Sequence, residues 1–487
     1  MRLISGSELV DAVKGTLVTG RCETVFTGVS IDSRSVRRGD LFVAIVGKRL
    51  DGHAFVCEAL KKGAAGALVS RRDFGACEDG DVAIVMVDDT TRALQNLAKW
   101  HRRRFSCPIA AVTGSNGKTT TKDLTWAILS RKFGTVRNEG SKNNHIGLPL
   151  TLLELDEETE AAVVELGTSG FGEIRDLVSI CSPDVGCITN VGPAHLEFFG
   201  SVVKVARAKA ELLEGMREGS PVVLNADDEW CEWLHGQAKG PVVSFGIYHP
   251  ADFMAEDIQS GDGTVSFRIA ANLFGVRRYV RMPFAGAHNV YNALAAAAIA
   301  SQFGAEISEI KEGLAAARLP SMRYEITSLE GLTVINDAYN ANPVSTMTAL
   351  SSFCEMSVPG KRIFVCGDML ELGKHAREAH EQVGFFISSQ PIDYVIAFGK
   401  LAPAVVKAAF GDGLRGKRWA CCRSVEEVVS VLMDVASPGD AVLIKGSRAN
   451  AMERIVDLLK RRMRSESGKL TEGQRKEADA LSPSVPA

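Results

Sequence analysis

The sequence predicts an α/β protein of three domains, the middle one built on a mostly parallel sheet. The chain has 487 residues, which is about three times the usual length of a domain. Short apolar runs rich in Val and Ile alternate with helix-length segments, as in parallel sheets covered by helices. Two breaks, at Pro108 and Pro320, divide this alternation. We therefore predict domains at 1–105, 106–318 and 319–464.

Each predicted domain has its own strand signals. The first has strands at 40–47, 66–70 and 82–87 and a helix over 91–104. The second has strands at 108–114, 161–167, 185–192 and 221–226, an antiparallel extension over 241–284 and an Ala-rich helix over 288–304. The third has strands at 332–337, 361–369, 392–399 and 440–447. The last stretch, 465–487, lacks apolar periodicity, which predicts a disordered tail.

The composition is that of an ordinary globular protein with no strong net charge. The 56 basic and 59 acidic residues leave a net charge of −3, so no global positive field recruits nucleic acid or an anionic membrane. The eleven cysteines, an odd number, are scattered along the chain without a C-x-x-C pair, a pattern that fits neither a disulfide framework nor a zinc ribbon. Acidic residues interrupt the N-terminal segment, and no run of 18 apolar residues follows. We predict a cytoplasmic protein without membrane insertion.

The most informative segment, PIAAVTGSNGKTTTKDLTWAIL (108–129), leads an apolar strand through a glycine-bounded loop into an amphipathic helix. Gly114 and Gly117 let backbone N–H groups turn inward, and the following helix N-terminus attracts anions. Lys118 supplies a full positive charge, and Thr119 supplies a hydroxyl for Mg²⁺. The segment predicts a nucleoside triphosphate site.

The spacing of this loop departs from the common phosphate-binding pattern. The sequence reads G-x-x-G-K-T, two residues shorter than G-x-x-x-x-G-K-[ST]. The alternative reading is a simple strand-to-helix turn with a solvated lysine. The strand, loop and helix context favours the nucleotide site.

Polar side chains follow the neighbouring strands of the predicted central sheet. Glu165 ends one strand, and Asn190 and His195 follow the next. Ligands of open α/β sheets bind at the carboxyl edge of the strands, so these groups should face the loop. A carboxylate and a neutral imidazole there would complete one metal site and start a second. Taken alone, Glu165 could equally well be a solvated acid at a strand end. His195, taken alone, is better explained as a packed or exposed histidine than as a metal ligand.

Several motifs together resemble the Mur ligase family of cytoplasmic peptidoglycan-building enzymes. In chain order they are TGSNGKTT, ELG, TNVGPAH, ARAKAE, GAHNVYNALAA, NDAYNANP and IKGSRA, and the resemblance spans roughly residues 25 to 460. The resemblance implies an N-terminal α/β substrate domain, a central P-loop-type ATPase and a C-terminal Rossmann-like domain. It also implies ATP-driven amide formation through an acyl phosphate, with ATP and Mg²⁺ required.

More specific segments resemble the members that join D-alanyl-D-alanine to UDP-N-acetylmuramoyl-tripeptide. These segments are VSIDSRSVRRGDLFVAIVGKRLDGHAF, INDAYNANPVSTMTAL, GDMLELG and KGSRANAMERIV. The implied partners are small-molecule substrates, with no nucleic acid and no membrane, and the chain is predicted to act as a monomer.

The resemblance also implies residue roles in the central domain. The phosphates would be wrapped by Gly114, Ser115, Asn116, Gly117, Lys118, Thr119 and Thr120. The catalytic residues would be Lys118, Glu165, His195 and Lys209, the last as a carbamylated, metal-binding lysine. Mg²⁺ ions would be held by Thr119, Glu165, His195 and Lys209.

The remaining implied roles concern the nucleoside and the two other substrates. Asn289 and Asn292 would contact adenine, unless Asn289 is a helix cap and Asn292 a surface residue. Arg323 and Asp337 would reach the phosphate and the ribose, unless they form an interdomain salt bridge. The substrate-binding residues would be Ser33, Arg34, Asp51 and His53 at the UDP-muramoyl end, and Asn340 and Asn342 near the acceptor dipeptide.

Two other functions remain open at this stage. Another ligase of the superfamily, such as the enzyme adding the third peptide residue or folylpolyglutamate synthetase, would share the ATPase core. A P-loop switch that binds nucleotide and signals through a partner would leave the third domain unexplained.

Overall fold

A computed structural model gives the structure of residues 2–73, 82–140, 142–261, 263–411 and 418–466. Within these residues the fold is α/β, and three large sheets follow one another along the chain. The predicted tail at 465–487 lies outside the described residues from 467 onward, and its first two residues belong to the last helix.

The first part of the chain forms a five-stranded sheet and a small two-stranded one. Its elements are β1 (Ile4–Ser5), α1 (Gly6–Val13), β2 (Thr16–Thr19), β3 (Val25–Phe26), β4 (Gly28–Ser30), β5 (Asp40–Val43), α2 (Val56–Lys61), β6 (Gly66–Val69), β7 (Ala83–Met86) and α3 (Thr90–Arg102). The five-stranded order is β2-β7-β6-β5-β4, in which β4 to β7 run parallel and β2 pairs antiparallel with β7.

The middle part begins with α/β alternation. Its elements up to the antiparallel extension are β8 (Ile109–Thr113), α4 (Lys118–Leu129), β9 (Thr135–Arg137), α5 (Gly147–Leu153), β10 (Ala161–Glu165), α6 (Glu173–Cys181), β11 (Val185–Ile188), α7 (Leu196–Phe199), α8 (Val202–Gly215), β12 (Val222–Asn225), α9 (Cys231–His235) and β13 (Val242–Gly246). The extension and the two helices after it are β14 (Phe253–Gly261), β15 (Thr264–Ala271), β16 (Val276–Met282), α10 (Ala287–Ser301) and α11 (Ile307–Ala316).

One nine-stranded sheet, in the order β16-β15-β14-β13-β12-β11-β8-β10-β9, carries all the strands of this middle part. The predicted antiparallel extension is correct for β14, β15 and β16. It is wrong for β13, which runs parallel to β12 and continues the main sheet. The β13 sequence, VVSFG, is mostly apolar, as expected of a strand that continues the buried parallel part of a sheet.

The third part forms a six-stranded sheet. Its elements are β17 (Glu325–Leu329), β18 (Leu332–Asp337), α12 (Pro343–Glu355), β19 (Arg362–Gly367), α13 (Ala376–Ser388), β20 (Tyr394–Phe398), α14 (Pro403–Phe410), β21 (Trp419–Cys422), α15 (Val425–Val435), β22 (Ala441–Lys445) and α16 (Glu453–Glu466). The order is β17-β18-β22-β19-β20-β21, parallel except for β17.

Helix α3 joins the first part to the middle part through a shared apolar core. Leu94, Leu97 and Ala98 are fully buried and belong to the same cluster as Leu148 and Leu152 of α5. Leu94, Leu97 and Ala98 are spaced so that they form one apolar face of the helix, and this face packs into the core that both parts share. The helix begins after Asp89, whose carboxylate accepts hydrogen bonds from the first-turn N–H groups.

Two general features complete the description. None of the helices in the described ranges combines the length and the apolar character needed to cross a bilayer. Among the described cysteines, nine are free and Cys57 is disulfide-bonded.

Asp227, just after β12, is hydrogen-bonded to two other segments of the middle part, residues 247–249 and α10. Its side chain is 7% exposed. Its carboxylate accepts hydrogen bonds from the N–H groups of Ile247 (2.6 Å), Tyr248 (3.1 Å) and His249 (2.7 Å), and from the Tyr291 hydroxyl (2.8 Å). Burial raises the pKa of Asp227, but these hydrogen bonds outweigh it and lower the pKa to about 2.

We therefore predict that Asp227→Asn lowers the free energy of unfolding by about 2 kcal/mol at neutral pH. Because the folded-state pKa lies below the unfolded one, this stabilisation is present above pH of about 4 and declines as the pH falls toward 2. Urea titrations at pH 7 and pH 3 would measure it. The exposed Glu229→Gln serves as control, and an equal difference at both pH values would contradict the prediction.

Candidate active site

A cavity of about 1270 Å³ lies where the three parts of the chain meet. Most of the sequence-predicted site residues line it. They are Ser115, Asn116, Gly117, Lys118, Thr119, Thr120, Glu165, His195, Asn289, Asn292, Arg323, Asp337, Asn340 and Asn342. The structure thus brings together groups that are separated by more than 220 residues in sequence.

The predicted phosphate loop joins β8 to α4 and has no space for side chains at its two glycines. Gly114 has φ +146° and Gly117 has φ +81°. A Cβ at Gly114 would lie 2.0 Å from the hydroxyl oxygen of Thr189, and one at Gly117 would lie 2.3 Å from Asn292 Oδ1. Since no side chain caps α4, its first-turn N–H groups are available to an anion.

Lys118 folds back over this loop. Its Nζ donates hydrogen bonds to the carbonyl oxygens of Gly114 (2.9 Å) and Ser115 (3.3 Å). Burial lowers the pKa of Lys118, while the nearby Glu165 carboxylate raises it. A phosphate in the loop would add negative charge beside the ammonium and favour its protonated form.

The buried carboxylate of Glu165 stands beside the loop, at the end of β10. Glu165 is 2% exposed. Its Oε2 accepts a hydrogen bond from Thr119 Oγ1 at 2.7 Å. A hydroxyl oxygen and a carboxylate oxygen are ligands that suit Mg²⁺, which also takes oxygens from bound phosphates. The donor set therefore fits a magnesium ion bound together with a nucleotide.

Lys209 lies in α8 behind the cavity rather than on its wall. It is 2% exposed, and its Nζ forms no hydrogen bond or ion pair with any residue in the described ranges. Burial lowers the pKa of Lys209 well below its usual value, and the neighbouring Lys118 ammonium lowers it further. Burial therefore disfavours the charged form of this amine.

His195 connects the middle part to the third part. Its backbone has φ +54°, and its Nδ1 lies 2.6 Å from Glu371 Oε2. The nearby His195 ring lowers the pKa of Glu371, against the effect of burial. Glu371 lies in the GDMLELG segment, and nothing in the sequence signals that it faces His195.

Asn289 and Asn292 occupy buried positions on α10. They are 2% and 7% exposed, and Asn292 Nδ2 donates to Asn289 Oδ1 at 3.2 Å. Asn292 Oδ1 also accepts from Thr121 Oγ1 of α4. The alternative reading as cap and surface residue is wrong, because Gly286 precedes the helix and both side chains lie inside.

The third part reaches the phosphate loop through two hydrogen bonds. Arg323 Nη2 donates to Thr119 Oγ1 at 2.8 Å, and Asn342 Nδ2 donates to Asn116 Oδ1 at 2.8 Å. The Arg323 guanidinium also lies 4.0 Å from the centre of the Tyr339 ring. Among the described residues Arg323 forms no ion pair, and Asp337 pairs with Lys445 of the third part itself, so the alternative of an interdomain salt bridge is not what the structure contains.

Asp337 and Asn340 are held by Lys445, within the third part. Lys445 Nζ donates to Asp337 Oδ2 at 2.6 Å and to the Asn340 carbonyl oxygen at 3.0 Å. Lys445 lines the same cavity. The three groups form a charged edge of the cavity opposite the phosphate loop.

The four residues predicted for the UDP-muramoyl end do not line this cavity. Arg34 is 85% exposed and pairs with Asp32. Ser33 is 6% exposed. His53 is fully buried, with Nδ1 2.7 Å from Asp51 Oδ1 and Nε2 accepting a hydrogen bond from the Ser70 N–H. Asp51 and His53 therefore make structural contacts within the first part.

The first part instead presents the start of α3 to the cavity. Asp89, Thr91, Arg92 and Gln95 line it there. Sequence reasoning missed them, because a basic amphipathic helix offers no signal for the direction in which its polar face points. The Asp89 cap was a detectable signal for the helix start alone.

Family models cover most of the chain. The Mur ligase middle domain matches residues 112–300, the Mur ligase glutamate ligase domain matches 322–448, and the Mur ligase family catalytic domain matches 25–102. These matches agree with the family resemblance drawn from the motifs.

Curated relatives match nearly the whole chain. The UDP-N-acetylmuramoyl-tripeptide--D-alanyl-D-alanine ligase of Bacillus subtilis is 36% identical over 451 residues, which covers 92% of this chain and 96% of the relative. The enzyme of the same name from Escherichia coli is 36% identical over 456 residues, which covers 93% and 97%.

Solved structures give the same result. MurF from Acinetobacter baumannii superposes with a TM-score of 0.86 at 30% identity, covering 95% of this chain and 99% of that one. MurF ligase from Thermotoga maritima in complex with ADP superposes with a TM-score of 0.78 at 28% identity, covering 90% and 98%. The α/β fold and the family predicted from sequence are confirmed, and the chain belongs to the Mur ligase family.

Proposed function

We propose that this protein joins D-alanyl-D-alanine to UDP-N-acetylmuramoyl-tripeptide, with conversion of ATP to ADP and phosphate. The observation that carries the proposal is the 36% identity to ligases of that name over more than nine-tenths of the chain. The cavity supports it, because a phosphate loop, a buried carboxylate and a charged edge from the third part face one space.

The first step is attack of the tripeptide carboxylate on the γ-phosphate of ATP, which forms an acyl phosphate and releases ADP. Two anions must approach each other for this step, so fixed positive charge is required. Lys118 and the N-terminus of α4 supply it on one side, and Arg323 supplies it from the third part.

The second step is attack of the dipeptide amine on the acyl phosphate, which forms the amide and releases phosphate and a proton. Asn340 and Asn342 would face the acceptor dipeptide, and Asn342 also begins α12 as its N-cap. Asn289 and Asn292 would bind adenine, and Asp337 the ribose, in keeping with their places on the cavity wall.

Magnesium would be held by Thr119 and Glu165, and a second ion near His195. When bound, Mg²⁺ offsets phosphate charge and polarises the transferred phosphoryl group. The buried Lys209 would serve as a carbamate: its neutral amine would attack the carbon of CO₂, the N–C bond would form as one C=O π bond opens onto oxygen, and a proton would leave the nitrogen. The product is a carboxylate-like metal ligand in a region where Lys118 supplies a counter-charge.

We also propose that the protein acts in the cytoplasm as a monomer. The UDP-muramoyl end of the substrate would be held by a region of the first part that includes Ser33, Arg34, Asp51 and His53. Arginine suits a diphosphate through its fork of donors, and Arg34 is exposed. The domain limits 1–105, 106–318 and 319–464 are proposed as the substrate, ATP and closing domains.

The ligase proposal leads to a direct assay. Incubation with ATP, Mg²⁺, UDP-N-acetylmuramoyl-tripeptide and D-alanyl-D-alanine should release phosphate and form the pentapeptide product. Phosphate release that does not depend on D-alanyl-D-alanine would contradict the proposal. Release dependent on a different amino acid would favour another ligase of the superfamily, and slow hydrolysis without any amine would favour a switch.

Lys118→Ala should reduce this activity on the order of 100-fold or more, since it removes a positive charge fixed beside the phosphates. Lys132→Ala, at an exposed lysine just beyond α4, is the matched control and should keep parental activity. Thermal unfolding of both variants would check the fold. Near-parental activity of Lys118→Ala would argue against the assigned loop.

Lys209 should carry a carbamate in the active enzyme. We expect activity to fall on removal of CO₂ and bicarbonate and to return when bicarbonate is added, with a carbamate signal from ¹³C-bicarbonate in NMR. Lys209→Arg should lose both the signal and the activity. The exposed Lys204→Arg on the same helix should lose neither. Full activity without CO₂ would disprove the carbamate.

A further inference from the structure

One loop of the middle part contacts the buried carboxylate at the oxygen that Thr119 does not bond. This loop, residues 142–146, leads into α5 and was not singled out by any motif. Asn143 Nδ2 donates a hydrogen bond to Glu165 Oε1 at 2.7 Å. The other oxygen, Oε2, accepts from Thr119 at 2.7 Å. Each carboxylate oxygen therefore accepts a hydrogen bond, Oε1 from Asn143 and Oε2 from Thr119.

We infer that Asn143 is a positioning residue for magnesium binding: its amide holds Oε1 of Glu165 and thereby directs Oε2 toward Thr119. The inference rests on the proposed function, since it concerns the same metal site. A carboxylate that is free to rotate can bind a metal through either oxygen or both. An N–H donor on one oxygen removes that freedom and leaves a single oxygen for the ion.

The choice of asparagine fits this task. The amide is neutral, so it adds no charge that would compete with the metal for the carboxylate. Charged donors lie nearby but are used elsewhere: Lys118 bonds the loop carbonyls, and Lys122 Nζ donates to the carbonyl oxygen of Asn138. Among the described residues, Asn143 and Thr119 are the side chains that donate to the Glu165 carboxylate.

The backbone fixes Asn143 in place. The N–H of Gly167, two residues beyond Glu165, donates to the Asn143 carbonyl oxygen at 2.9 Å. A Cβ at Gly167 would lie 2.7 Å from the Asn143 side-chain carbon, so only glycine leaves room for this approach. The strand end and the loop are thus held together by main chain as well as side chain.

Asn138 holds the main chain of Glu165 at the end of β10. Its Oδ1 accepts from the Glu165 N–H at 2.9 Å, and its carbonyl oxygen accepts from the buried Lys122. Hydrogen bonds from residues that do not themselves bind the metal set the orientation of the metal ligands. Removing one such hydrogen bond typically lowers metal affinity or activity about 10- to 100-fold.

The test measures how Mg²⁺ changes ADP binding, for the parent protein and for Asn143→Ala and Asn143→Leu. Leucine keeps the approximate shape of asparagine without an N–H donor. We expect unchanged ADP affinity without metal, and about a 10- to 100-fold higher Mg²⁺ concentration for the half-maximal effect. Turnover in the ligase assay should recover toward the parental value at high Mg²⁺.

Asn144→Ala is the matched control in the same loop. Its Oδ1 accepts from the N–H groups of Ile146 and Gly147 at the start of α5, and it does not bond Glu165. We expect its Mg²⁺ midpoint to equal that of the parent.

Two results would overturn the inference: an unchanged Mg²⁺ midpoint in a folded Asn143 variant, or an equal shift in Asn144→Ala. Because ADP binding requires neither the UDP substrate nor the dipeptide, these results are distinguishable from failure of the ligase proposal. A melting curve for each variant identifies any that does not fold, and the second Asn143 variant then carries the test.

Discussion

The site depends on a charged group taken out of water, the carboxylate of Glu165, next to a loop built to bind anions. Burial of an unpaired carboxylate is costly, so its oxygens must be hydrogen-bonded or bound to a cation. Thr119 and Asn143 satisfy them in this structure. These contacts bind the phosphate loop, β10 and the 142–146 loop into one unit, which sets where a metal and a nucleotide would lie.

Polar contacts join the third part to the site, beside a smaller apolar contact in which Ala285 packs into the core of the third part. Arg323 bonds Thr119, Asn342 bonds Asn116, and His195 lies beside Glu371. By contrast, α3 shares an apolar core with the middle part, so the first and middle parts form a more continuous body. Separating a polar interface between domains takes less free energy than separating an apolar one. This suits a cleft that must admit three substrates.

Much of the site was predictable because its chemistry is local in sequence. Gly114 to Thr120 form one strand-loop-helix unit, and Glu165 and His195 lie at strand ends that a parallel sheet must place at the same edge. Glu371, Asn143 and Arg92 were missed because their roles follow from which loops face each other. The sequence left Asn289 and Asn292 open between adenine contacts and a helix cap with a surface residue, and only the packing of α10 shows that both side chains are buried.

The sequence by itself determined the α/β class, the phosphate loop and the family, since apolar periodicity and short-range motifs are properties of contiguous residues. Only the tertiary structure decided that β13 runs parallel to β12. It also decided that Asp51 and His53 form a hydrogen bond inside the first part, and that Asn143 donates a hydrogen bond to Glu165. The physical reason is that these contacts join residues through packing and hydrogen bonds whose geometry depends on the whole sheet. A sequence pattern records which residue is polar but not which partner satisfies it.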